Sequence, residues 1–350
     1  MYNRYLFHKI FLNIIFYQGV IMNKNIFKGL IFSGLIAVFA YFLGKNFPVV
    51  GGPVFGILLG IILNNFKRPE SFEAGIKFTS KKVLQYAVIL LGFGLNLSEI
   101  IVVGQSSLLI ILSTISTALI ISFVVAKILK IDTNIATLVG VGSSICGGSA
   151  IAATAPVINA KDEDVATSIS VIFLFNIIAA LIFPTLGVKL GMTHTGFGMW
   201  AGTAINDTSS VVAASGTWST MFNDDTALNY ATIVKLTRTL AIIPITLVLG
   251  IIKSKENTEK VSVLKTFPTF ILFFLLASLV TTFLPLPDAF LSTMKFLSKF
   301  FIIMAMSAIG LNTDIKKLIS QGGKAIIEGA LCWIGIIFVS LLMQHLLNIW

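Results

Sequence analysis

The sequence predicts an all-α integral membrane protein with about eleven transmembrane helices, an inverted-topology repeat and at least one broken helix. Three observations predict this class. The 350 residues are 56% hydrophobic and only 11% charged, with a mean hydropathy of +0.95. Several apolar runs approach the ~20 residues that cross a bilayer core, and basic residues cluster in alternate connecting segments. A soluble domain would carry roughly 25% charged residues, so a water-soluble enzyme is excluded.

The apolar runs predict a single polytopic membrane domain over residues 26–350. Residues 1–25 are predicted to be an N-terminal cytoplasmic extension, with Met22 as an alternative start, because Leu6–Val20 is too short for a span. An interfacial helix is the alternative for that segment. The predicted spans are residues 26–44, 49–64, 83–96, 106–129, 133–158, 164–188, 196–215, 228–251, 266–284, 290–311 and 325–346.

Basic residues set the predicted orientation, because Lys and Arg concentrate in short cytoplasmic loops. With the N-terminus inside, eighteen of them fall on the cytoplasmic side and two, Lys45 and Lys161, on the outer side. The prediction is a multi-pass protein with a cytoplasmic N-terminus and an outer C-terminus. This asymmetry also accounts for the net charge of +10 without nucleic acid binding.

A short internal repeat relates the two ends of the chain. Gly-Leu-Asn occurs at 94–96 and 310–312, and Pro53–Phe55 matches Pro268–Phe270 at nearly the same offset. If helices one to four repeat as eight to eleven, seven spans separate the copies, which then face opposite ways, as in many secondary transporters. The alternative is that Gly-Leu-Asn is a common helix terminus. The repeat leaves the fifth helix without a partner, so either the seventh helix takes that part in a different order or the repeat boundaries lie elsewhere.

Gly140–Pro156 is the most informative segment, because 14 of its 17 residues are Gly, Ala, Ser, Thr, Cys or Pro. Glycines and a proline weaken a continuous helix, so a break is predicted near 143–149. Non-helical backbone at membrane depth must be buried or line a water-filled cavity, and a half-helix N-terminus there suits an anion. Close packing through small residues is the alternative. The candidate substrate-binding residues here are Ser143, Ser144, Gly147, Gly148 and Ser149.

Asn206 and Asp207 interrupt the seventh predicted span with a carboxylate and an amide. Acidic residues inside membrane spans are rare and usually serve ion or proton pathways. We therefore predict that these two residues couple transport to an ion. The alternative is that the span is short and that Asp207 caps a helix in an outer loop.

Lys235 and Arg238 lie three residues apart, and thus on one helix face, in the eighth predicted span. Two cations inside a membrane need partners. Asp207 could pair with one, and the other could bind an anionic substrate. Snorkelling to the outer surface is the alternative, and Lys295 and Lys299 allow the same two interpretations. Lone polar residues such as Asn176 favour interhelical hydrogen bonds.

Enzymatic signatures are absent from the sequence. It contains no P-loop, zinc-protease, nucleophile-elbow or paired CxxC motif, and its three histidines are scattered. Cys146 and Cys332 are too few for a disulfide framework. We predict no enzyme activity, no cofactor and no metal. The predicted partners are a small anion, a coupling ion (H⁺ or Na⁺) and the lipid bilayer, with no nucleic acid; an oligomer is left open.

The small-residue segment and the polar residues of the seventh predicted span resemble those of a known family. The string GSSICGGSAIAA at Gly142–Ala153, then Ala155–Ile158, Gly202-Thr203 and Asn206-Asp207, resembles the YeiH family of bacterial inner-membrane proteins, also described as sulfate exporters. The resemblance covers the chain from Met22 onward. It implies a multi-span transporter of the bacterial inner (plasma) membrane with crossed broken helices. No ligand residues come with it.

The functional prediction is a secondary transporter that exports a small inorganic or organic anion, such as sulfate or a sulfonate, by alternating access. The broken fifth helix with Lys235 and Arg238 would bind the anion, and Asp207 would take part in coupling. The alternative is a cation/proton antiporter in which Asp207 binds the cation. A further alternative is a membrane interaction protein that transports nothing.

Overall fold

The computed structural model describes residues 24–48, 50–254 and 269–350, all of whose regular elements are helical. Most of the predicted N-terminal extension, including Met22, lies outside these residues. The helices are α1 Lys24–Asn46, α2 Gly52–Asn64, α3 Glu73–Phe78, α4 Leu84–Gly92, α5 Leu97–Leu129, α6 Thr133–Ser144, α7 Gly148–Thr154, α8 Asp162–Lys189, α9 His194–Ala204, α10 Thr208–Phe222, α11 Thr226–Thr239, α12 Ile242–Ser254, α13 Thr269–Phe283, α14 Asp288–Leu311 and α15 Ile315–Leu346.

The all-α membrane class is confirmed. Within the described ranges, six helices are long and apolar enough to cross a membrane, and α2 and α13 are shorter apolar helices. Every predicted span overlaps a helix or a pair of helices. The six long segments are Ile26–Asn46, Leu97–Leu129, Glu163–Lys189, Thr226–Ile251, Asp288–Leu311 and Gly323–Leu346.

Helix packing supports the predicted repeat. The offset equates α2 with α13, α4 with α14 and α5 with α15, which is kinked at Gly323, where the backbone is not helical. Accordingly α2 packs on α14, its counterpart α13 packs on α4, and α5 and α15 pack on each other. Glycines permit close approach in both equivalent pairs. A Cβ on Gly60 would lie 2.4 Å from the carbonyl oxygen of Ser307, and one on Gly92 would lie 2.5 Å from that of Phe274.

Helices α6 and α7 form a hairpin, here called the first hairpin, which reverses at Ile145–Gly147. A Cβ on Gly142 would lie 2.9 Å from the side chain of Ile151, although nine residues of straight helix would separate them by about 13 Å. The hydroxyl of Ser168 in α8 donates to the carbonyl of Ile135 in α6. The first turns of α6 and the N-terminal part of α8 therefore lie at the same end of the molecule.

Helices α9 and α10 form the second hairpin, which reverses at Ile205–Asp207. The rings of Phe197 and Trp218, one from each helix, stack with centroids 4.0 Å apart. Trp218 Nε1 also donates to His194 Nδ1 at 2.8 Å. Gly187 packs against both rings, so the open end of this hairpin lies at the C-terminal end of α8.

The fifth and seventh predicted spans are thus wrong as single crossings, and the count of eleven is not confirmed. The physical reason is length, because α9 has 11 residues and reaches only about 17 Å. Two fewer crossings leave five spans between the repeat copies, still an odd number. Under the predicted orientation Lys161 moves to the cytoplasmic side and Lys189 to the outer side. The charge asymmetry is therefore unchanged, which is why it did not detect the hairpins.

Candidate functional site at the hairpin tips

The tips of the two hairpins meet beside the middle of α8. Asn176, near the centre of that helix, accepts the backbone N–H groups of Asn206 and Asp207 at 3.1 and 3.2 Å. A Cβ on Gly147 would lie 3.3 Å from Cβ of Asp207 and 3.5 Å from Nδ2 of Asn176. Gly147 also has a φ of +67°, which favours glycine. The tips enter from opposite ends of α8 and touch at its midpoint.

Lys235 joins the two tips from α11. Its Nζ donates to the carbonyl of Ile145 in the first tip at 2.9 Å and to that of Ile205 in the second at 2.8 Å. The side chain is fully buried. Because helix C-termini carry unpaired carbonyls and partial negative charge, the ammonium group compensates both half-helices at once.

Arg238, one turn further along α11, repeats this arrangement with three carbonyls. Its Nε donates to Ser144 at 2.7 Å, its Nη2 to Ser143 at 2.8 Å and its Nη1 to Thr203. The guanidinium is also fully buried. The two cations therefore cap α6 and α9 and fix the hairpins to α11.

Asp207 begins α10 at the second tip. Its carboxylate accepts the backbone N–H of Ser209 at 3.0 Å and also the hydroxyl of Ser209. The residue is half-buried. It is a helix cap, but at membrane depth and not in an outer loop. Among the described residues no direct ion pair joins Asp207 to Lys235 or Arg238.

Unpaired amide groups lie at the second tip and in the neighbouring part of α8. Nδ2 of Asn176 and both side-chain polar atoms of Asn206 are buried and have no hydrogen-bond partner within the described part of the chain. Buried polar groups are nearly always paired with protein, water or a ligand. These three atoms are therefore available to a bound molecule or ion at the tips.

The structure brings together all nine residues that the sequence predicted for the site. Ser143, Ser144 and Gly147 form the first tip, and the next residues begin α7, where Ser149 is exposed and open space lies beside Gly148. Asn206 and Asp207 form the second tip, and Lys235 and Arg238 bridge both. Their roles in binding and coupling stay predictions.

Lys295 and Lys299 lie elsewhere. They bind Asp225, in the loop between α10 and α11, at 2.5 and 2.7 Å. Burial raises the pKa of Asp225, but its hydrogen bonds to the two ammonium groups outweigh burial, so the pKa lies below its ordinary value. This cluster ties the second hairpin to α14.

Two residues gained importance only in the structure. Asn176 fits the expected class of interhelical hydrogen bonders, but it binds the backbone of a hairpin tip. Glu328 in α15 is fully buried and bound to Ser122 of α5 at 2.7 Å. The signal for Glu328 was present, since a carboxylate inside an apolar span is the same feature that identified Asp207.

Comparisons with known proteins agree on one family. The family model described as "Conserved hypothetical protein 698" matches residues 28–329. A UPF0324 membrane protein of Streptococcus agalactiae is 57% identical over 333 residues, covering 93% of this chain and 99% of its own. One of Streptococcus mutans is 58% identical (92% and 98% covered), and one of Fusobacterium nucleatum is 56% identical (94% and 100%). No solved structure matches the chain.

Proposed function

Because this chain belongs to the UPF0324 family of membrane proteins, whose names state no substrate, we propose from its geometry that it is a secondary transporter of a small anion. YeiH belongs to the same family, so the resemblance carried by Gly142–Ala153 is confirmed. The relatives are named membrane proteins, and the long apolar helices of this chain make it a multi-pass membrane protein. Substrate class, mechanism, the inner membrane and the orientation of the termini are part of the proposal.

The charge balance at the tips carries this proposal. Lys235 and Arg238 contribute two positive charges and Asp207 one negative charge. Each hairpin tip combines one half-helix C-terminus with one half-helix N-terminus, so the partial charges of the four ends cancel. One positive charge remains in excess inside a membrane protein, where an uncompensated charge is costly. A bound anion would neutralise it.

The hairpins supply a mechanism for alternating access. Each hairpin lies between the tips and one end of α8, so each would close the site from one side. Movement of one hairpin relative to α8 would open the tips to that side while the other hairpin stays closed. Transporters with inverted repeats use this principle, with the substrate near the membrane midplane. The exposed Ser149 and half-buried Asp207 and Thr208 are the groups that an entering substrate would meet first.

A second candidate, cation/proton antiport, is favoured by one observation. Asp207 is half-buried and accessible, whereas Lys235 and Arg238 are fully buried and already bound to carbonyls. A cation could bind the Asp207 carboxylate with the unpaired amides of Asn176 and Asn206. The two candidates differ in which charge at the tips contacts the substrate.

Exchange in proteoliposomes tests the proposal. Vesicles with the full chain would be loaded with labelled sulfate, sulfite or phosphate, and release would be measured with and without the same anion outside. We expect exchange of at least one anion, lost in Lys235→Gln, which removes the excess charge but keeps N–H donors. Lys299→Gln removes the same charge away from the tips and is the matched control.

Three outcomes would contradict the proposal. Anion exchange at the same rate in Lys235→Gln would remove the charge argument. Sodium-driven proton movement that is lost in Asp207→Asn, without anion exchange, would favour the antiporter. No flux of any of these solutes would favour a membrane interaction protein.

A further inference from the structure

A buried carboxyl group lies outside the hairpin tips, on the face of α15 that packs against α5. Glu328 is fully buried, and its Oε1 lies 2.7 Å from the hydroxyl oxygen of Ser122. Its Oε2 has no hydrogen-bond partner among the described residues. An ionised carboxylate with a single hydrogen bond and no cation beside it would be costly at this depth.

The hydroxyl of Ser122 identifies the proton state that fits this contact. Its oxygen lies 3.0 Å from the carbonyl oxygen of Ala136 in α6, in addition to the 2.7 Å contact with Glu328. A serine hydroxyl has one hydrogen, so it cannot donate to both acceptors. Both contacts are hydrogen bonds only if Glu328 is protonated, donating to Ser122 while Ser122 donates to Ala136.

The groups that face Glu328 leave no counter-ion for it. Ser122 faces it from α5 and the Ala136 carbonyl from α6, while Gly329 packs on the apolar side chains of Val171 and Phe175 in α8. On α15 itself the titratable neighbours are Cys332, one turn later, and Lys324, one turn earlier. The latter binds the carbonyl of Leu129 at 3.0 Å. The charged Lys127 of α5 and Asp132, which caps α6, lie a turn or more nearer the helix ends.

A groove connects Ser122 to the surface at the open end of the first hairpin. It runs between α5, α6 and α12, and Ser122, Ala136 and Gly140 form part of its wall, with Lys127 and Thr133 toward the helix ends. Gly140 is needed there, because a Cβ would lie 2.4 Å from the Ser122 hydroxyl. The groove therefore gives Ser122, the hydrogen-bond partner of Glu328, a route to that end of the molecule.

We propose that Glu328 is a proton-binding site that makes the opening of the first hairpin, and with it the movement of substrate, dependent on pH. Ser122 contacts both α6 of the moving hairpin and Glu328 of α15. When α6 shifts, the Ala136 carbonyl leaves Ser122, and water in the widened groove stabilises the ionised carboxylate. The proton is released to that water, and the reverse movement takes it up again. The coupling function rests on the proposed transport, whereas the protonated state does not.

Infrared difference spectroscopy of the purified full chain tests the proton site directly. At neutral pH the wild type is expected to show the C=O band of a protonated carboxylic acid. The band should be lost in Glu328→Gln and kept in Asp207→Asn. In Ser122→Ala the band should shift, because the carboxyl group loses its hydrogen-bond partner. The Ser122→Ala measurement decides the question if Glu328→Gln does not fold.

Vesicle transport tests the coupling. With equal pH on both sides, anion exchange in the wild type and in Lys299→Gln should slow as the pH falls, because opening of the first hairpin releases the proton, and this pH dependence should be lost in Glu328→Gln. A carboxylic acid band that is absent from the wild type, or unchanged in both Glu328→Gln and Ser122→Ala, overturns the proton site. If the band behaves as expected but pH has no effect on anion exchange, the coupling of proton binding to hairpin opening is overturned. If no anion moves at all, the proposed function fails while the proton site stands.

Discussion

Replacing Arg238 by Gln should destabilise the protein strongly, because the guanidinium holds two hairpins to α11. Its three nitrogens bind the carbonyls of Ser143, Ser144 and Thr203, all in buried residues. Glutamine is too short to reach all three. A buried polar group that loses its partner costs about 1–3 kcal/mol, so the three carbonyls together give an expected loss of at least ~3 kcal/mol.

The midpoint of thermal unfolding in detergent measures this effect. Arg238→Lys is the matched variant, since lysine keeps the charge but can replace only some of the hydrogen bonds. Its unfolding temperature should lie between those of the wild type and Arg238→Gln. Thr237→Ala changes the neighbouring residue, whose hydroxyl binds only the carbonyl of Ile233 in the same helix, and should have little effect. If Arg238→Gln unfolds at the same temperature as Thr237→Ala, these contacts do not hold the tips together.

Three further predictions concern the tips and the ion cluster of Lys295, Asp225 and Lys299. Gly147→Ala should destabilise by about 1 kcal/mol or more, because alanine disfavours positive φ and its Cβ would press on Asp207; chemical unfolding checks this, and a neutral result contradicts it. Asp225→Asn should lower the free energy of unfolding by about 1 kcal/mol at neutral pH, and this difference from the wild type should disappear at acid pH. The carboxylate with lowered pKa stabilises the fold above its unfolded pKa and loses this effect as pH falls through the folded pKa; a loss that persists in acid argues against the Lys295–Asp225–Lys299 cluster. Asp207→Asn should unfold close to wild type, since asparagine also caps helices, but with altered ion dependence of transport; wild-type ion dependence would remove Asp207 from coupling.

The sequence allowed the helices to be predicted well, because hydropathy reports the solvent that surrounds a segment. Hydropathy does not show whether an apolar segment crosses the bilayer or turns back inside it. The apolar stretch at 196–215 satisfies a span criterion whether the chain crosses the bilayer or turns back at Ile205–Asp207. What distinguishes the two is contact between its ends, such as Phe197 on Trp218, and no local pattern encodes that contact.

The candidate site was predictable to the level of residue type. Ionisable and small residues inside apolar spans pointed to Ser143, Asp207, Lys235 and Arg238 before any coordinates. Their partners were not predictable, because the acceptors are backbone carbonyls, which every residue carries. The expected pairing of Asp207 with a cation was the natural guess from charges alone. The structure places the carboxylate at a helix N-terminus and the two cations at helix C-termini, so each charge lies beside a partial charge of opposite sign.

The hairpins also explain why the repeat is incomplete as a linear pattern. The first hairpin is followed by α8 and the second by α11, and in each case the following helix supplies side chains to the tips: Asn176 from α8, Lys235 and Arg238 from α11. Yet the first hairpin comes after α5, whereas the second comes before α13. The equivalent units thus occur in a permuted order along the two halves. A fixed offset aligns α2, α4 and α5 with α13, α14 and α15, but it cannot align the hairpins. The hairpins are central to the proposed transport mechanism. They are also the elements that a search for repeats at a constant spacing cannot match with each other.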